Sequence, residues 1–533
     1  MTIGFDFGTH QTKICVADYS DKNHPIRRFW KFHTPNGDSY MLPSIVQINN
    51  DDTLTYGCTN MSCVKTMVLR TRPKPDEPTE IKPEFVFEEK EPTLVLPPKP
   101  KPQKLDWKDK LRALQNGIDT NNNIDWELEC GIARRKYERL HREWKAKWIK
   151  YNDEYEKKLD KYNKAIQRYQ KELNYWESHY GNLTPQPAIF RYFKQASFFN
   201  SYKWDYIIDK DYLSVWYLAY ILFDLEEEFE QNMTIQIGFP SGARYLEQRK
   251  SHAVRLLLSA YHLVEDVFAN DKDSFLLTPY QELIEKTEFI DPTPEKKSDY
   301  GIIAYPEAYA GLVTATSQGR ISNGISLVVD IGGGTTDISL FNLDEKAPHI
   351  YGYESMEVGI NYLVEQMRGF TDLTKQNSME SLSHEQMEQA KILFNEKLSE
   401  QINKIVARIY KAFQDVAYNT GSLTSALKHR EIVYSGGGSS YDYLCKAIRS
   451  FTSVRKMSKD IWQGFVIEDR DEILPLASVL STALGLSVPC ESETDDVAIS
   501  DTEAIFSHLP KKKEQEVLIW GRRPEDMYGL ADD

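Results

Sequence analysis

Three consecutive glycines between two carboxylates form the first stretch that could do chemistry. In "SLVVDIGGGTTDISLF", residues 326–341, Asp330 precedes glycines 332–334 and Asp337 follows them. Glycine lets a backbone approach a bound group closely, and successive free N–H groups form a nest for an anion such as phosphate. Carboxylates repel phosphate unless a hard divalent cation lies between them, and Mg²⁺ favours carboxylate, water and phosphate oxygens. The stretch therefore predicts a magnesium–phosphate site, although plain hairpins also use glycine.

Two other turns have a related design. In "IGFDFGTHQTKICVADY", residues 3–19, a strand-like run ends at Asp6, Gly8 and Thr9 follow, and an alternating run resumes. Two such hairpins could approach a polyphosphate from opposite sides. In "IVYSGGGSSYDYL", residues 432–444, a glycine turn follows a strand and opens a helix, whose N-terminus can receive a ribose or a phosphate.

The elements that must position these turns are mixed. Short β-like runs fill residues 1–70, and strands alternate with helices from residue 186 to about 488. The tail, residues 489–533, is acidic at first and contains the apolar cluster "EVLIW". We expect this tail to be flexible or to dock as a peptide.

A long insertion interrupts the strand-rich region. Residues 71–103 are rich in Pro, Lys and Glu, which predicts an extended or disordered linker. Residues 104–185 predict a helical insertion, with a long helix from Trp126 to Tyr180 and a shorter partner helix near Trp107 to Leu114 that would form a helical hairpin. Large apolar and aromatic residues recur every three or four positions along the long helix, first with an 11-residue and then a seven-residue period. Two interpretations stay open: an arm that packs on itself, or an aromatic surface that docks a partner.

Composition limits the function classes. The chain has 533 residues, is 41% hydrophobic and carries a net charge of −15, which argues against general binding of nucleic acid or anionic membranes. No apolar run reaches the roughly 18 residues of a membrane span, and the N-terminus does not resemble a signal peptide. The six cysteines lack the paired spacing of a zinc site: Cys15, Cys58, Cys63, Cys130, Cys445 and Cys490. We expect a soluble, cytoplasmic protein that binds neither nucleic acid nor membranes.

The three turns, taken in order, resemble the phosphate-1, phosphate-2 and adenosine motifs of the actin, sugar-kinase and heat-shock ATPase superfamily. "MLPSIVQI" and "IQIGFPSGARYLEQRKSHAVRLLLSAYHL" are similar to stretches of DnaK-type chaperones. The resemblance covers residues 1–70 and 186–488. It implies an α/β, actin-like ATPase fold with two ribonuclease-H-like lobes, lobe I at 1–70 and 186–325 and lobe II at 326–488, closing over Mg²⁺ and ATP or ADP.

The resemblance also implies roles for individual residues. Asp6 and Asp330 would orient Mg²⁺ through its waters, and Asp337 would lie near the phosphates or a monovalent ion. The β- and γ-phosphates would be cradled by Gly8, Thr9, His10, Gly332, Gly333, Gly334 and Thr335. The adenosine would be lined by Gly437, Gly438 and Ser439, with Glu388 and Lys391 clasping the nucleotide from the other side.

Catalysis in DnaK-type ATPases also uses a lysine and a glutamate. Lys194, in "FRYFKQASF", is the candidate lysine, and Lys65, in "CVKTM", is its competitor. The family's glutamate position falls on Tyr305 or Pro306 here, so Glu307 is the candidate substitute. This departure implies slow hydrolysis more than it affects ATP binding.

The resemblance implies a DnaK-like slow ATPase that acts as a nucleotide-driven switch or chaperone-like factor. No β-rich peptide-binding region is expected after the core, so a protein partner would be engaged through residues 104–180, or the arm would self-associate. The alternative is a non-hydrolysing, nucleotide-gated scaffold or actin-like assembly protein. A sugar kinase is a third option, but we find no motif for its base aspartate or sugar pocket.

Overall fold

The computed structural model describes residues 1–488 with these gaps: 22–23, 36, 102–105, 117–122, 200–203, 231–232, 242–244, 317–323, 344–347, 369–377, 416–429, 449–450, 458–461 and 463–464. The predictions made for the tail, residues 489–533, lie outside the described residues. The chain divides into two compact units: a core, formed by Met1–Leu69 and the residues from Thr184, and an arm, formed by Arg70–Leu183. No helix among the described residues has the length and apolar character needed to cross a membrane.

The strands are mostly short and lie in the core. In chain order they are β1 (Thr2–Asp6), β2 (Gln11–Asp18), β3 (Ile26–Phe29), β4 (Phe32–Thr34), β5 (Gly37–Ser39), β6 (Leu42–Pro43), β7 (Ile45–Ile48), β8 (Leu54–Tyr56), β9 (Thr66–Met67), β10 (Gln186–Pro187), β11 (Ile189–Arg191), β12 (Thr234–Phe239), β13 (Ile302–Pro306), β14 (Gly324–Ile331), β15 (Thr336–Leu343), β16 (Pro348–Met356), β17 (Glu431–Ser435), β18 (Ser453–Lys456) and β19 (Val466–Ile467).

The helices include two in the arm, α1 (Trp107–Gln115) and α2 (Asn123–Tyr180). Those of the core are α3 (Phe193–Phe198), α4 (Lys210–Phe229), α5 (Leu246–His262), α6 (Lys272–Leu277), α7 (Tyr280–Lys286), α8 (Pro294–Asp299), α9 (Glu307–Thr316), α10 (Ile360–Arg368), α11 (His384–Asp415), α12 (Arg470–Ile473) and α13 (Ala477–Leu486).

Two sheets of the core share one topology. The first has the strand order β13-β12-β1-β2-β3, with β19 added beside β3. The second has the order β16-β15-β14-β17-β18. In each sheet the first strand pairs antiparallel with the second and the second with the third, whereas the fourth and fifth run parallel to the first. Numbered within its own sheet, each lobe therefore reads 3-2-1-4-5.

This repeated order is the ribonuclease-H-like arrangement, present twice. The predicted fold class is confirmed: the core is an actin-like, two-lobed α/β fold, and a long helical insertion interrupts it. In the second lobe, residues 327–329 of β14 are all buried, as expected for a strand covered on both faces. Gly485 on α13 permits a close helix contact, because a Cβ there would lie 1.9 Å from the carbonyl oxygen of Ala310 on α9.

The arm is built on α2, whose 58 residues span about 87 Å. An extended segment, residues 71–100, lies along this helix, and we call it the strap. Indole N–H groups of α2 donate to strap carbonyl oxygens: Trp176 to Arg72 at 2.6 Å, Trp144 to Glu89 at 3.0 Å, and Trp126 to Pro97 at 3.1 Å. The strap therefore runs antiparallel to α2.

The register of the strap is regular. Between the first and last of these indole contacts, 25 residues of strap pass 50 residues of helix. A polyproline II chain rises about 3.1 Å per residue and an α-helix about 1.5 Å, so the two segments span about 78 and 75 Å. The half-buried strap residues are mostly prolines: Pro75, Pro78, Pro83, Pro92, Pro97 and Pro100. Proline presets the extended backbone, which explains why this composition orders along a helix.

These contacts favour the interpretation in which the arm packs on itself. Phe85 of the strap packs edge-on against Tyr151 and Tyr155 of the aromatic stripe, with ring centroids 5.3 and 5.1 Å apart. The expected shorter helix forms as α1, but none of its residues is buried. The segment that covers the stripe is thus an extended strap and not the second helix of a hairpin.

Candidate functional site

The two Asp-x-Gly hairpins face one cavity of about 440 Å³. Each hairpin places its first aspartate at or near the end of a central strand, Asp6 on β1 and Asp330 on β14. Most of the predicted site residues line this cavity: Asp6, Gly8, Thr9, His10, Lys194, Glu307, Asp330, Gly332, Gly333, Gly334, Thr335, Asp337, Gly437 and Gly438. Residues up to 432 positions apart in the chain are therefore brought together as the motifs indicated.

Three of the predicted site residues, and the competitor lysine, lie outside this lining. Glu388 and Lys391 form an ion pair with each other at 2.9 Å on α11, and Glu388 is exposed to solvent. Ser439 is buried in the turn that follows β17, where its hydroxyl donates to the carbonyl of Gly436 at 2.7 Å. Lys65, the competitor for the catalytic lysine, instead pairs with Asp52.

Buried carboxylates give the cavity a strongly acidic wall. Burial raises the pKa of Asp330, and the nearby Asp6 raises it further, although the Thr482 hydroxyl donates to Asp330 at 2.8 Å and opposes the shift. Burial, together with Glu307 and Asp330, raises the pKa of Asp337 to about 8. Such a cluster is unfavourable without compensating positive charge.

The acidic wall fits a hydrated divalent cation. The described residues contain no group of three or more His, Cys, Asp and Glu side chains placed to hold a metal ion directly. The carboxylates of Asp6 and Asp330 are of the donor type that suits Mg²⁺ and its waters, with phosphate oxygens as further ligands.

Lys13 also lines the cavity, although the sequence analysis did not identify it as a site residue. It lies opposite Asp6 across the β1–β2 ladder, and its Nζ contacts the Asp6 carboxylate at 2.8 Å. Burial alone would lower the pKa of Lys13, but Asp6, Asp330 and Glu307 outweigh that effect and raise it. The signal was available, because a hairpin that turns at residues 9–10 pairs positions 6 and 13.

Gly436 is a second residue that sequence reasoning passed over. Its φ of +81° lies in the left-handed region, and a Cβ there would lie 2.1 Å from Asp330 Oδ1. By contrast, a Cβ on the neighbouring Gly437 would meet nothing within 4 Å. The first glycine of the third turn thus lets the chain pass over the Asp330 carboxylate.

A buried ion pair joins Lys194 and Glu307 in the cavity wall. Lys194 lies in α3, which starts directly after Tyr192, a residue with φ of +62°. Glu307 is the first residue of α9 and follows β13. Burial raises the pKa of Glu307, and the positive charge of Lys194 opposes this shift. The pair provides a cation and a proton acceptor beside the glycine turns.

No protein-family model matches the chain, and no curated protein matches it at a significant level. Among solved structures, a ParM filament from Clostridium botulinum matches at 13% identity and a TM-score of 0.27, with 48% of this chain and 65% of that chain covered. MreB5 of Spiroplasma citri bound to ADP matches at 13% identity and a TM-score of 0.28, with 51% and 73% covered.

An archaeal actin homolog matches at 19% identity and a TM-score of 0.21, with 35% of this chain and 55% of that chain covered. This chain thus spans less than two thirds of two of these three matched chains. The TM-scores are too low to carry an argument, so the fold assignment stands on the repeated strand order of the two sheets.

Proposed function

We propose that the core binds Mg²⁺ and ATP in the cavity between its two hairpins and hydrolyses ATP slowly, as a nucleotide-driven conformational switch. One observation carries this proposal: two hairpins of the same design, from two lobes of the same topology, bring aspartates and glycine turns to one cavity. Amides of glycine turns suit phosphate oxygens, and the aspartates suit the waters of Mg²⁺.

The residues of the cavity have distinct parts in this proposal. Asp6 and Asp330 would hold the hydrated cation, and glycines 332–334 would bind phosphate oxygens through their N–H groups. Bound Mg²⁺ would supply neutralisation of phosphate charge. Lys194 would stabilise the negative charge that develops on the transferred phosphoryl group, and Glu307 would accept a hydrogen bond from the attacking water. Catalysis of this kind depends on positioning and electrostatics.

The two lobes give the switch its moving parts. Each hairpin belongs to a different sheet, so a nucleotide that contacts both turns favours the arrangement in which they are close. We propose that a protein partner reads this change through the arm. A chaperone-like factor would change its affinity for that partner with the nucleotide, whereas an assembly protein would change its affinity for copies of itself.

The test measures ATP binding and steady-state hydrolysis for the wild type, Lys194→Met and Lys65→Met. Lys65 is a matched control, because it is also paired with a carboxylate but lies outside the cavity lining. We expect the wild type to bind and hydrolyse ATP, Lys194→Met to lose turnover by at least tenfold, and Lys65→Met to keep it. Equal effects of the two substitutions would refute the assigned role of Lys194.

Sedimentation with ATP and with ADP separates the two uses of the switch. Nucleotide-dependent pelleting of the pure protein would support assembly. ATP binding without turnover would support a nucleotide-gated scaffold over an ATPase. A wild type that binds no nucleotide would overturn the proposed function as a whole.

A further inference from the structure

One side-chain contact joins the first glycine turn to a helix of the second lobe that lies against the second turn. His10 belongs to the turn of the first lobe, between β1 and β2, and Asn361 is the second residue of α10 in the second lobe. With its Nε2 protonated, the His10 ring donates a hydrogen bond to the Asn361 Oδ1. The backbone N–H of Asn361 donates to the carbonyl of Gly333 at 2.8 Å. Asn361 is thereby held against one turn by its backbone and against the other by its side chain.

The His10 ring is packed closely at this place. A Cβ on Gly333 would lie 2.4 Å from His10 Nδ1, so the ring rests on a turn that only glycine permits. The Tyr192 ring packs on His10 with the centroids 5.8 Å apart. His10 also lines the cavity. Its N–H group is therefore held at the wall that would face the terminal phosphate.

The hydrogen bonding of the Asn361 side-chain amide is unusual for a buried asparagine. Asn361 is only 3% exposed. Its buried Nδ2 has no hydrogen-bond partner among the described residues. A buried amide that serves local stability uses both its oxygen and its nitrogen, because an unpaired buried donor is unfavourable. The described side-chain contact of Asn361 is with His10, which indicates that the amide acts on the imidazole.

We propose that the His10–Asn361 contact is a latch between the lobes that the γ-phosphate of ATP opens by competing for the His10 N–H. This inference rests on the proposed nucleotide site. A phosphate oxygen is a stronger acceptor than a neutral amide oxygen, because it carries charge. ADP has no third phosphate and leaves the latch closed. Asn361 is thus a positioning residue that acts through His10 and tunes the preference for ATP over ADP.

The proposal makes opposite predictions for its two members. His10→Ala removes a phosphate contact and lowers the ATP-over-ADP preference, whereas Asn361→Ala removes the competing acceptor and raises it. A hydrogen bond of ordinary net strength corresponds to a change of roughly three- to tenfold in each direction. The double variant should match His10→Ala, since Asn361 has no effect without the ring. His10→Gln keeps an N–H donor and should retain part of the preference.

The experiment is calorimetric titration of the full-length wild type and these variants with ATP and with ADP, alongside thermal unfolding. The expected result is opposite shifts in ATP affinity with ADP affinity changed by less than about twofold. If the contact is purely structural, both single variants should bind ATP and ADP more weakly. That result would overturn the latch but not the proposed function. No nucleotide binding by the wild type would overturn the proposed function, and the latch with it.

Discussion

Removing one member of the Lys194–Glu307 pair should destabilise the protein far more than removing both. The side chains are 3% and 9% exposed, so each substitution leaves an uncompensated buried charge. Breaking a buried pair in this way typically costs about 3–5 kcal/mol. We expect Lys194→Met and Glu307→Gln each to lose this much, and the double variant to lose at least about 2 kcal/mol less than the sum.

The cost of Lys194→Met should also depend on pH. Without the lysine, burial and the neighbouring aspartates raise the pKa of Glu307 further above its unfolded value. The native variant then holds a proton that the unfolded chain releases, so the free energy of unfolding decreases as pH rises above about 4.5. The loss in Lys194→Met should accordingly be larger at pH 8 than at pH 5.

The assay is urea unfolding in EDTA without nucleotide, at both pH values. Lys65→Met is the matched control, because the Lys65–Asp52 pair is 30% exposed at each side chain and such partly exposed pairs contribute only about 0–1 kcal/mol. Additive losses in the double variant, or a loss in Lys194→Met no larger than that of the control, would refute the argument from burial.

Three further predictions concern the acidic wall, the third turn and the arm. The pKa of Asp337 is raised to about 8, so the unfolded chain releases this proton at a lower pH than the folded protein, and the carboxyl destabilises the folded state more as pH rises. Asp337→Asn should therefore stabilise the nucleotide-free protein more at pH 8 than at pH 5 in thermal unfolding, and an equal gain at both pH values would contradict this. Gly436→Ala should weaken Mg·ATP binding at least tenfold by displacing the facing aspartate, and calorimetric titration that finds the variant within about twofold of the wild type would contradict this. Trp144→Ala should expose the strap to trypsin at Lys90, which is the one basic strap residue that proline does not follow. An unchanged cleavage rate would show that the indole contact does not hold the strap.

The glycine turns could be predicted because their signal is local. A strand that ends in Asp, followed by glycine and a second alternating run, specifies a hairpin and the position of its carboxylate. The two aspartates identified from these turns, Asp6 and Asp330, line one cavity. The fold class was implied by the resemblance of the three motifs, and the repeated 3-2-1-4-5 strand order agrees with it.

The strap could not be predicted from the same local signals. Its composition indicated an extended chain without a core, and the extended conformation is what the structure shows. What aligns it is contact with a helix up to 104 residues away, as between Arg72 and Trp176. The strap and α2 rise by different distances per residue, so two strap residues that contact the helix are about half as far apart in sequence as their partners on α2. A short window of sequence contains no signal for this register.

Site residues that depend on cross-strand or cross-lobe geometry were also missed. Lys13 is recognised only through its register with Asp6, and Gly436 only through its approach to Asp330. The contact of Asn361 with His10 spans 351 residues. The register that pairs Lys13 with Asp6 follows from the local hairpin, whereas the contacts of Gly436 and Asn361 require the packing of elements that no motif records.

The central claim is that the two hairpins form one site for Mg·ATP. The most direct measurement is calorimetric titration of the full-length protein with ATP, in Mg²⁺ and in EDTA, for the wild type and Asp330→Asn. We expect the protein to bind one ATP per chain, with an affinity that falls at least tenfold in EDTA and in the variant. No binding to the wild type, or binding that neither EDTA nor Asp330→Asn changes, would contradict it.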